Sequence, residues 1–312
     1  MSRTALAIGC GGTIGGAWII AALHALAEQT DWDPTQADVL QGTSAGAEIV
    51  TMLAGGYGVN DLVEMQAGRS ADPVLAAHLA ATPSGVPPIP RPGRLRPSTL
   101  WTRRSGHESL VGIAPRGRGD ASWLERLAHA VVPEGNSWLP HAGARLVAYR
   151  VDDGARVAFG APGAPTVSAA QGLRASWAIP AWMPPVEIDG HTYVDGGAAS
   201  TASVDLIGPD EADLVYVVAP MASETGVRAP GPGGLIERAA LRNPMSKVLR
   251  REVAQVRARG TRVVVITPSA QDMAGLGANF MKRGHRQRAF DAALTSVGET
   301  VARALAAQEV SQ

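Results

Sequence analysis

Three features of the chain predict a three-layer α/β/α fold around a mostly parallel central sheet. Short apolar runs at Ala5-Leu6-Ala7-Ile8 and Asp38-Val39-Leu40-Gln41 each break into a glycine turn and then into a helical pattern. Two later runs, Leu214-Val215-Tyr216-Val217-Val218 and Arg262-Val263-Val264-Val265-Ile266, are apolar almost throughout, as strands covered on both faces are. Helical stretches at 239–259 and 286–307 are long enough to cover them, and strands that alternate with helices form a parallel, helix-flanked sheet. The chain has 312 residues, 46% of them hydrophobic, with no internal repeat and no compositional break. One domain over 1–312 is expected, interrupted by a Pro/Arg-rich insertion at about 58–143.

Taken in order, the first strand ends in Gly9-Cys10-Gly11-Gly12-Thr13-Ile14-Gly15-Gly16 and leads into an apolar helix over 17–28. A loop of this kind presents backbone amides at a helix N-terminus, where they meet a phosphate or the oxyanion of an acyl-transfer intermediate. The second strand runs into Gln41-Gly42-Thr43-Ser44-Ala45-Gly46. A serine between two glycines at a strand-to-helix junction is a nucleophile elbow, in which Gly42 and Gly46 relieve the crowding of a sharp turn. The following helix is expected from Ser44 to about Gly55-Gly56.

Between 58 and 143, Pro83, Pro87, Pro88, Pro90, Pro92 and Pro97 crowd around Arg91, Arg94, Arg96, Arg103 and Arg104. Continuous regular structure is not expected there. The composition fits an irregular surface insertion with solvated arginines, or a lid whose arginines and Trp101 meet anionic lipid head groups. The scaffold resumes with a hairpin over 145–160 that turns at Asp152-Asp153-Gly154. A helix at 166–177 follows, then a second hairpin with its turn at Asp189-Gly190. That hairpin's last strand, His191-Thr192-Tyr193-Val194, stops at Asp195-Gly196-Gly197, a carboxylate with little steric cover.

The bulk numbers exclude several classes. Lys plus Arg and Asp plus Glu each number 28, so the basic excess of a nucleic-acid binder is missing. The single cysteine, Cys10, forms no internal disulfide and belongs to no metal-ligand cluster, and no metal or cofactor is expected. The N-terminal residues run straight into a strand pattern without a signal-peptide core, which makes a cytoplasmic address the expectation. No apolar run approaches the ~20 residues of a membrane-spanning helix, so any membrane contact is peripheral. No stretch sets the oligomeric state.

Together, the glycine loop, the Gly-x-Ser-x-Gly elbow and the downstream Asp-Gly-Gly resemble the patatin-like phospholipase family of serine acyl hydrolases. The segments Arg174-Ala175-Ser176-Trp177-Ala178-Ile179-Pro180 and Pro184-Pro185-Val186 are similar to that family's approach to its catalytic aspartate. The resemblance covers about 1–57 and 144–220 well, the C-terminal third weakly and the insertion not at all. It implies a patatin-like fold, Ser44 as nucleophile, Asp195 as base without a histidine, and Gly11 and Gly12 as oxyanion donors. Gly9, Gly15, Gly42, Gly46, Gly196 and Gly197 support the motifs. The implied substrate is a lipid or a small ester. Two positions depart from the family: Cys10 interrupts its glycine run, and Ile14 stands where an arginine is common.

Two other readings stay open on residues alone. An α/β-hydrolase triad needs a late histidine, and His285 is the candidate. A non-catalytic nucleotide binder would use the glycine loop, although a Gly-x-Gly-x-x-Gly fingerprint from Gly9 requires glycine where Ile14 stands. A carboxylate base with a raised pKa implies an acid limb of the pH profile below that of an imidazole near 6.5.

Overall fold

The computed structural model describes residues 2–83, 87–92 and 114–309. Its strands are β1 (Thr4–Ile8), β2 (Val39–Thr43), β3 (Ala144–Arg150), β4 (Arg156–Phe159), β5 (Val186–Ile188), β6 (His191–Asp195), β7 (Leu214–Val218) and β8 (Arg262–Ile266). The helices are α1 (Gly12–Thr30), α2 (Ala45–Ala54), α3 (Val59–Gln66), α4 (Pro73–Ala81), α5 (Ser122–Val131), α6 (Ala169–Ser176), α7 (Gly231–Glu237), α8 (Asn243–Arg257), α9 (Ala270–Leu276) and α10 (Arg286–Glu309). The strands form one sheet in the order β5-β6-β3-β2-β1-β7-β8, with β4 paired to β3. β3, β2, β1, β7 and β8 are parallel, and the β4 and β5-β6 pairings are antiparallel.

The period-2 alternation of the strands sorts the core into two faces. Leu6 and Ile8, Tyr216 and Val218, Val264 and Ile266 point into one apolar cluster with α1, α2, α5, α9 and α10. Ala5 and Ala7, Val215 and Val217, and Val263 point into another beneath Leu249, Val253 and Val256 of α8. The expected three layers are therefore present, with the α1 side much the heavier. α1 is the central helix of that side; Trp18, Ile19 and Leu23 are fully buried, and the helix packs along α10.

Two boundaries differ from the sequence reading. β2 continues through Gly42 to Thr43, and α2 begins at Ala45, because Ser44 has φ +57° and cannot be the first helical residue. The 58–143 region is not irregular at its ends. It contains α3, α4 and α5, whose Leu62, Met65, Leu75, Trp123 and Leu127 are core residues. Asp72 caps α4 by accepting from the amides of Val74 and Leu75 at 2.8 and 2.9 Å, with Pro73 in the first turn. His78 of α4 reaches back to Glu48 of α2 at 2.7 Å. Burial of such side chains is worth about 1.5–3 kcal/mol each, enough to hold these helices despite the prolines between them. Trp101, Arg94, Arg96, Arg103 and Arg104, which carried the lid reading, lie outside the described residues.

What places the site is the register on β3. β2 runs with β3 and reaches Val147 at Thr43. β6 runs against β3 and reaches Ala148 at Asp195. The two strands therefore end on adjacent residues of one neighbour. A Cβ on Gly196 would lie 2.8 Å from Val147 O and 3.0 Å from Thr43 Cγ2, so the two ends meet on the same flank.

Glycine at 46 is dictated by this closure, since a Cβ there would sit 2.2 Å from the carbonyl oxygen of Ile8. Gly16 of α1 is a different case, because its Cβ would meet only Ala45 Cβ at 3.7 Å. Gly46→Ala is expected to cost about 3 kcal/mol or more, because backbone must move. Gly16→Ala should stabilise by about 0.5–1 kcal/mol. Urea unfolding of both variants checks the contrast, and equal stabilities would contradict it.

Candidate active site

Ser44 stands at the junction of β2 and α2 with φ +57° and ψ −120°, a conformation that costs a non-glycine residue ~1–3 kcal/mol. Neighbours hold it there. A Cβ on Gly42 would lie 2.3 Å from Gly46 O, so the turn closes only with glycine at that position. The Ser44 amide donates to Ser176 Oγ at 2.9 Å, and that hydroxyl donates to Val147 O at 2.6 Å. Ser176, the last residue of α6, thus ties the elbow to β3.

Asp195 ends β6 and is 4% exposed. Its Oδ1 accepts from the Gly197 amide at 2.7 Å, and its own amide donates to Ala178 O at 3.0 Å. Burial pushes its carboxyl pKa up from 3.8 to about 7, against the smaller stabilising effects of hydrogen bonds from the Ser44 hydroxyl and the Gly197 amide. The expected acid limb below the imidazole range is therefore corrected upward. This carboxylate titrates where a histidine does, because it is buried to the same degree as the core around it.

The glycine loop runs beside this pair. Gly9 donates to Val218 O at 2.8 Å, Cys10 to Thr201 O at 2.8 Å and Ile14 to Phe280 O at 2.9 Å. The amides of Gly11 and Gly12 have no acceptor among the described residues. Gly12 has φ +56°, which favours glycine. Gly9, Gly11 and Gly15 are explained by close packing: added Cβ atoms would approach Thr201 Oγ1 at 2.9 Å and Pro220 Cγ at 2.7 and 3.2 Å. Ile14 is buried in the core cluster, so the position where an arginine is common turns away from the cavity here.

Ser44, Asp195, Gly11, Gly12 and Gly197 line one cavity of about 260 Å³. Its other walls are apolar, chiefly Ile179, Met221, Leu241, Met245 and Phe280. Cys10 is also a wall; its Sγ donates to Thr201 Oγ1 at 3.5 Å and faces Gly197. Burial, and then the negative charge of Asp195, push the thiol up to about 12, so it stays a neutral surface.

The sequence reading missed Ser176 and Arg242. Arg242 is 3% exposed, pairs with Glu237 at 2.8 Å, and donates to the carbonyls of Pro220 and Ala222 at 2.6 and 3.1 Å. It fixes the bend that carries Met221. The contacts that give them these roles, Ser44 and Val147 for Ser176 and Pro220 and Ala222 for Arg242, lie 20 or more residues away in the chain.

No described histidine joins the site. His285 Nε2 hydrogen-bonds Gly275 O at 2.8 Å, His78 pairs with Glu48, His191 lies 3.5 Å from Asp152, and none lines the cavity. Among the described residues no three His, Cys, Asp or Glu side chains converge, and no helix is long and apolar enough to cross a membrane.

The architecture is that of an α/β protein whose mixed, mostly parallel sheet presents a strained serine, a buried carboxylate and a glycine loop to one apolar cavity. The chain belongs to the patatin-like phospholipase family, whose model matches residues 6–206, and that membership makes it a lipid hydrolase in the general sense. Among solved structures, VipD from Legionella pneumophila aligns at 15% identity with a TM-score of 0.39, over 95% of this chain and 67% of that one. A search of curated proteins found no match.

The buried carboxyl has a stability consequence. With a pKa of about 7 folded and 3.8 unfolded, Asp195 costs nothing below pH 3.8 and penalises folding progressively as pH rises through about 7. Above that window the penalty is on the order of 4 kcal/mol. Asp195→Asn, which keeps the shape and the acceptor for Gly197, should raise Tm at pH 8.5 and leave it nearly unchanged at pH 4. Thermal melts at the two pH values check this, and an equal Tm at pH 8.5 would show that the carboxylate is not desolvated.

Proposed function

We propose that the protein is a carboxylic ester hydrolase of phospholipase A or esterase type, acting on lipid through a Ser44–Asp195 dyad and an acyl-enzyme. The observation that carries this reading is that Ser44 and the desolvated Asp195 carboxyl line the same apolar cavity beside the glycine loop. A serine hydroxyl is a poor nucleophile until a base takes its proton, and a carboxylate with a pKa near 7 is a competent base at neutral pH. In the proposed sequence, Asp195 accepts the hydroxyl proton as Ser44 Oγ bonds to the ester carbon. The carbonyl oxygen becomes an oxyanion beside the amides of Gly11 and Gly12, each such donor contributing on the order of 3 kcal/mol. The carbon–oxygen bond to the alcohol then breaks, and Asp195 returns the proton to the leaving oxygen. Water then attacks the acyl-serine, giving a proton to Asp195, which passes it to Ser44 Oγ as the bond to the acyl group breaks and the carboxylic acid leaves.

The apolar walls suit an acyl chain, and three of them, Met221, Met245 and Leu241, are flexible enough to follow its shape. Region 58–143 borders the cavity through Ala114, which supports a part for it in substrate access. A cytoplasmic protein that meets lipid at the membrane surface fits this reading, and its single cysteine, Cys10, is compatible with a reducing compartment.

Labelling by a fluorophosphonate probe tests the nucleophile without a chosen substrate. Ser44 should be the labelled residue, and Ser44→Ala should abolish both labelling and hydrolysis of short p-nitrophenyl esters. Asp195→Asn is expected to lower kcat by three orders of magnitude or so, as removing a general base does, whereas His285→Ala should keep most activity. A folded His285→Ala protein without activity, alongside an active Asp195→Asn protein, would replace the dyad by a triad.

The pH profile supplies an independent check. kcat/KM should fall below about pH 7 as Asp195 gains its proton. An imidazole limb lies in the same range, but its pKa falls on warming while that of a carboxylate barely moves. A limb that stays in place between two temperatures is the expected result; one that moves down on warming assigns the base to a histidine.

A further inference from the structure

β8 is the last strand of the sheet, and its outer edge is open. In the β7–β8 ladder the Arg262 amide donates to Asp213 O at 3.0 Å, and Ile266 O accepts from the Ala219 amide at 3.0 Å. Backbone groups alternate sides along a strand, so Arg262, Val264 and Ile266 face β7, and Val263 and Val265 face outward. The Arg257 guanidinium takes Val263 O at 2.8 Å. The amide and carbonyl of Val265 and the amide of Val263 have no partner among the described residues. Val265 is also only half-buried, whereas Val263, Val264 and Ile266 are buried, so the open part of the edge is at Val265. The Arg257 guanidinium covers the Val263 end of this edge, and among the described residues the Val265 end carries no proline, inward charge or hydrogen-bonded neighbour.

The space beside this edge is already shaped. A cavity of about 670 Å³ lies toward α8 and one of about 350 Å³ toward α10, and both reach Glu224, Arg257, Val265 and Thr267. Arg250 on the α8 side and Arg303 on the α10 side are exposed and line the two cavities. The lining therefore carries three guanidinium groups against the one carboxylate of Glu224.

We propose that the edge of β8 is a docking site for an extended acidic segment of a partner protein, added to the sheet as a further strand. Main-chain hydrogen bonds to the amide and carbonyl of Val265 supply affinity, and neighbouring side chains enter the two flanking cavities. A lipid chain has no groups for the Val265 amide and carbonyl, whereas an extended peptide backbone offers both a donor and an acceptor. A second copy is disfavoured by charge: pairing β8 with β8 about a two-fold axis brings Arg250, Arg257 and Arg303 against their own copies. An acidic strand has the complementary sign. The proposal is independent of the hydrolytic reading, because none of these residues lines the Ser44 cavity.

The test is fluorescence anisotropy of the full chain with a labelled six-residue peptide of alternating Glu and Val, and two controls: the same peptide N-methylated at alternate amides, and its Lys/Val counterpart. The Glu/Val peptide should bind at micromolar concentration and weaken with salt. Both controls should bind about tenfold or more weakly. An Arg250→Glu, Arg303→Glu double variant, which changes two exposed side chains and should melt like the parent, is expected to lose the acidic peptide about tenfold. Absence of binding, binding indifferent to N-methylation, or equal binding of the Lys/Val peptide overturns the proposal. So does sedimentation showing a dimer that Val265→Pro dissolves, since that assigns the edge to a second copy.

Discussion

The site depends on the pairing of β3 with two strands that run in opposite directions and stop on adjacent residues. Thr43 pairs with Val147 and Asp195 with Ala148, so the ends of β2 and β6 are brought together by main-chain hydrogen bonds. A one-residue slip of β6 would send the Asp195 side chain to the other face of the sheet. Ser176 reinforces the same register, joining the Ser44 amide to Val147 O through one hydroxyl. The hydroxyl and the carboxylate meet because of backbone geometry that is in place before any attraction between them acts.

That arrangement lowers stability in two ways. Ser44 occupies a strained conformation, and Asp195 is held where its charged form is poorly solvated. The heavy face of the sheet offsets both, with α1 buried along most of its length and flanked by α2 and α10. The proposed dyad needs a rigid frame, since the strain persists only where the surroundings over-determine it. The proposed oxyanion donors follow the same logic: Ile14 is tied to Phe280 O, while Gly11 and Gly12 keep their amides unspent.

The elbow and Asp195-Gly196-Gly197 were legible because glycines mark sharp turns at strand ends. A Cβ on Gly42 would strike Gly46 four residues on, which short-range spacing records, whereas Gly46 and Gly196 are crowded by the backbone of Ile8 and Val147, which only the fold brings near. Region 58–143 was misread at its ends because prolines and arginines in its middle drew attention from two short amphipathic stretches. Leu62 and Met65 on α3, and Trp123, Leu124 and Leu127 on α5, carry the helical period over barely two turns each. Whether they are core or surface depends on α1 and α2, which no local window contains.

By itself the sequence determined the alternation of strands and helices, the parallel centre of the sheet, and the two motifs proposed to carry the chemistry, because these rest on periodicity and on glycines at turns. Only the tertiary structure decided that Asp195 is desolvated enough to titrate near 7, that Cys10 is an inert wall, and that Ser176 and Arg242 hold the elbow and the Met221 bend. It also decided that Ile14 faces the core and that β8 leaves an edge open. The physical reason is common to all of these: burial, pKa and hydrogen-bond partnership are set by neighbours distant in the chain, and such neighbours leave no spacing for a sequence to display.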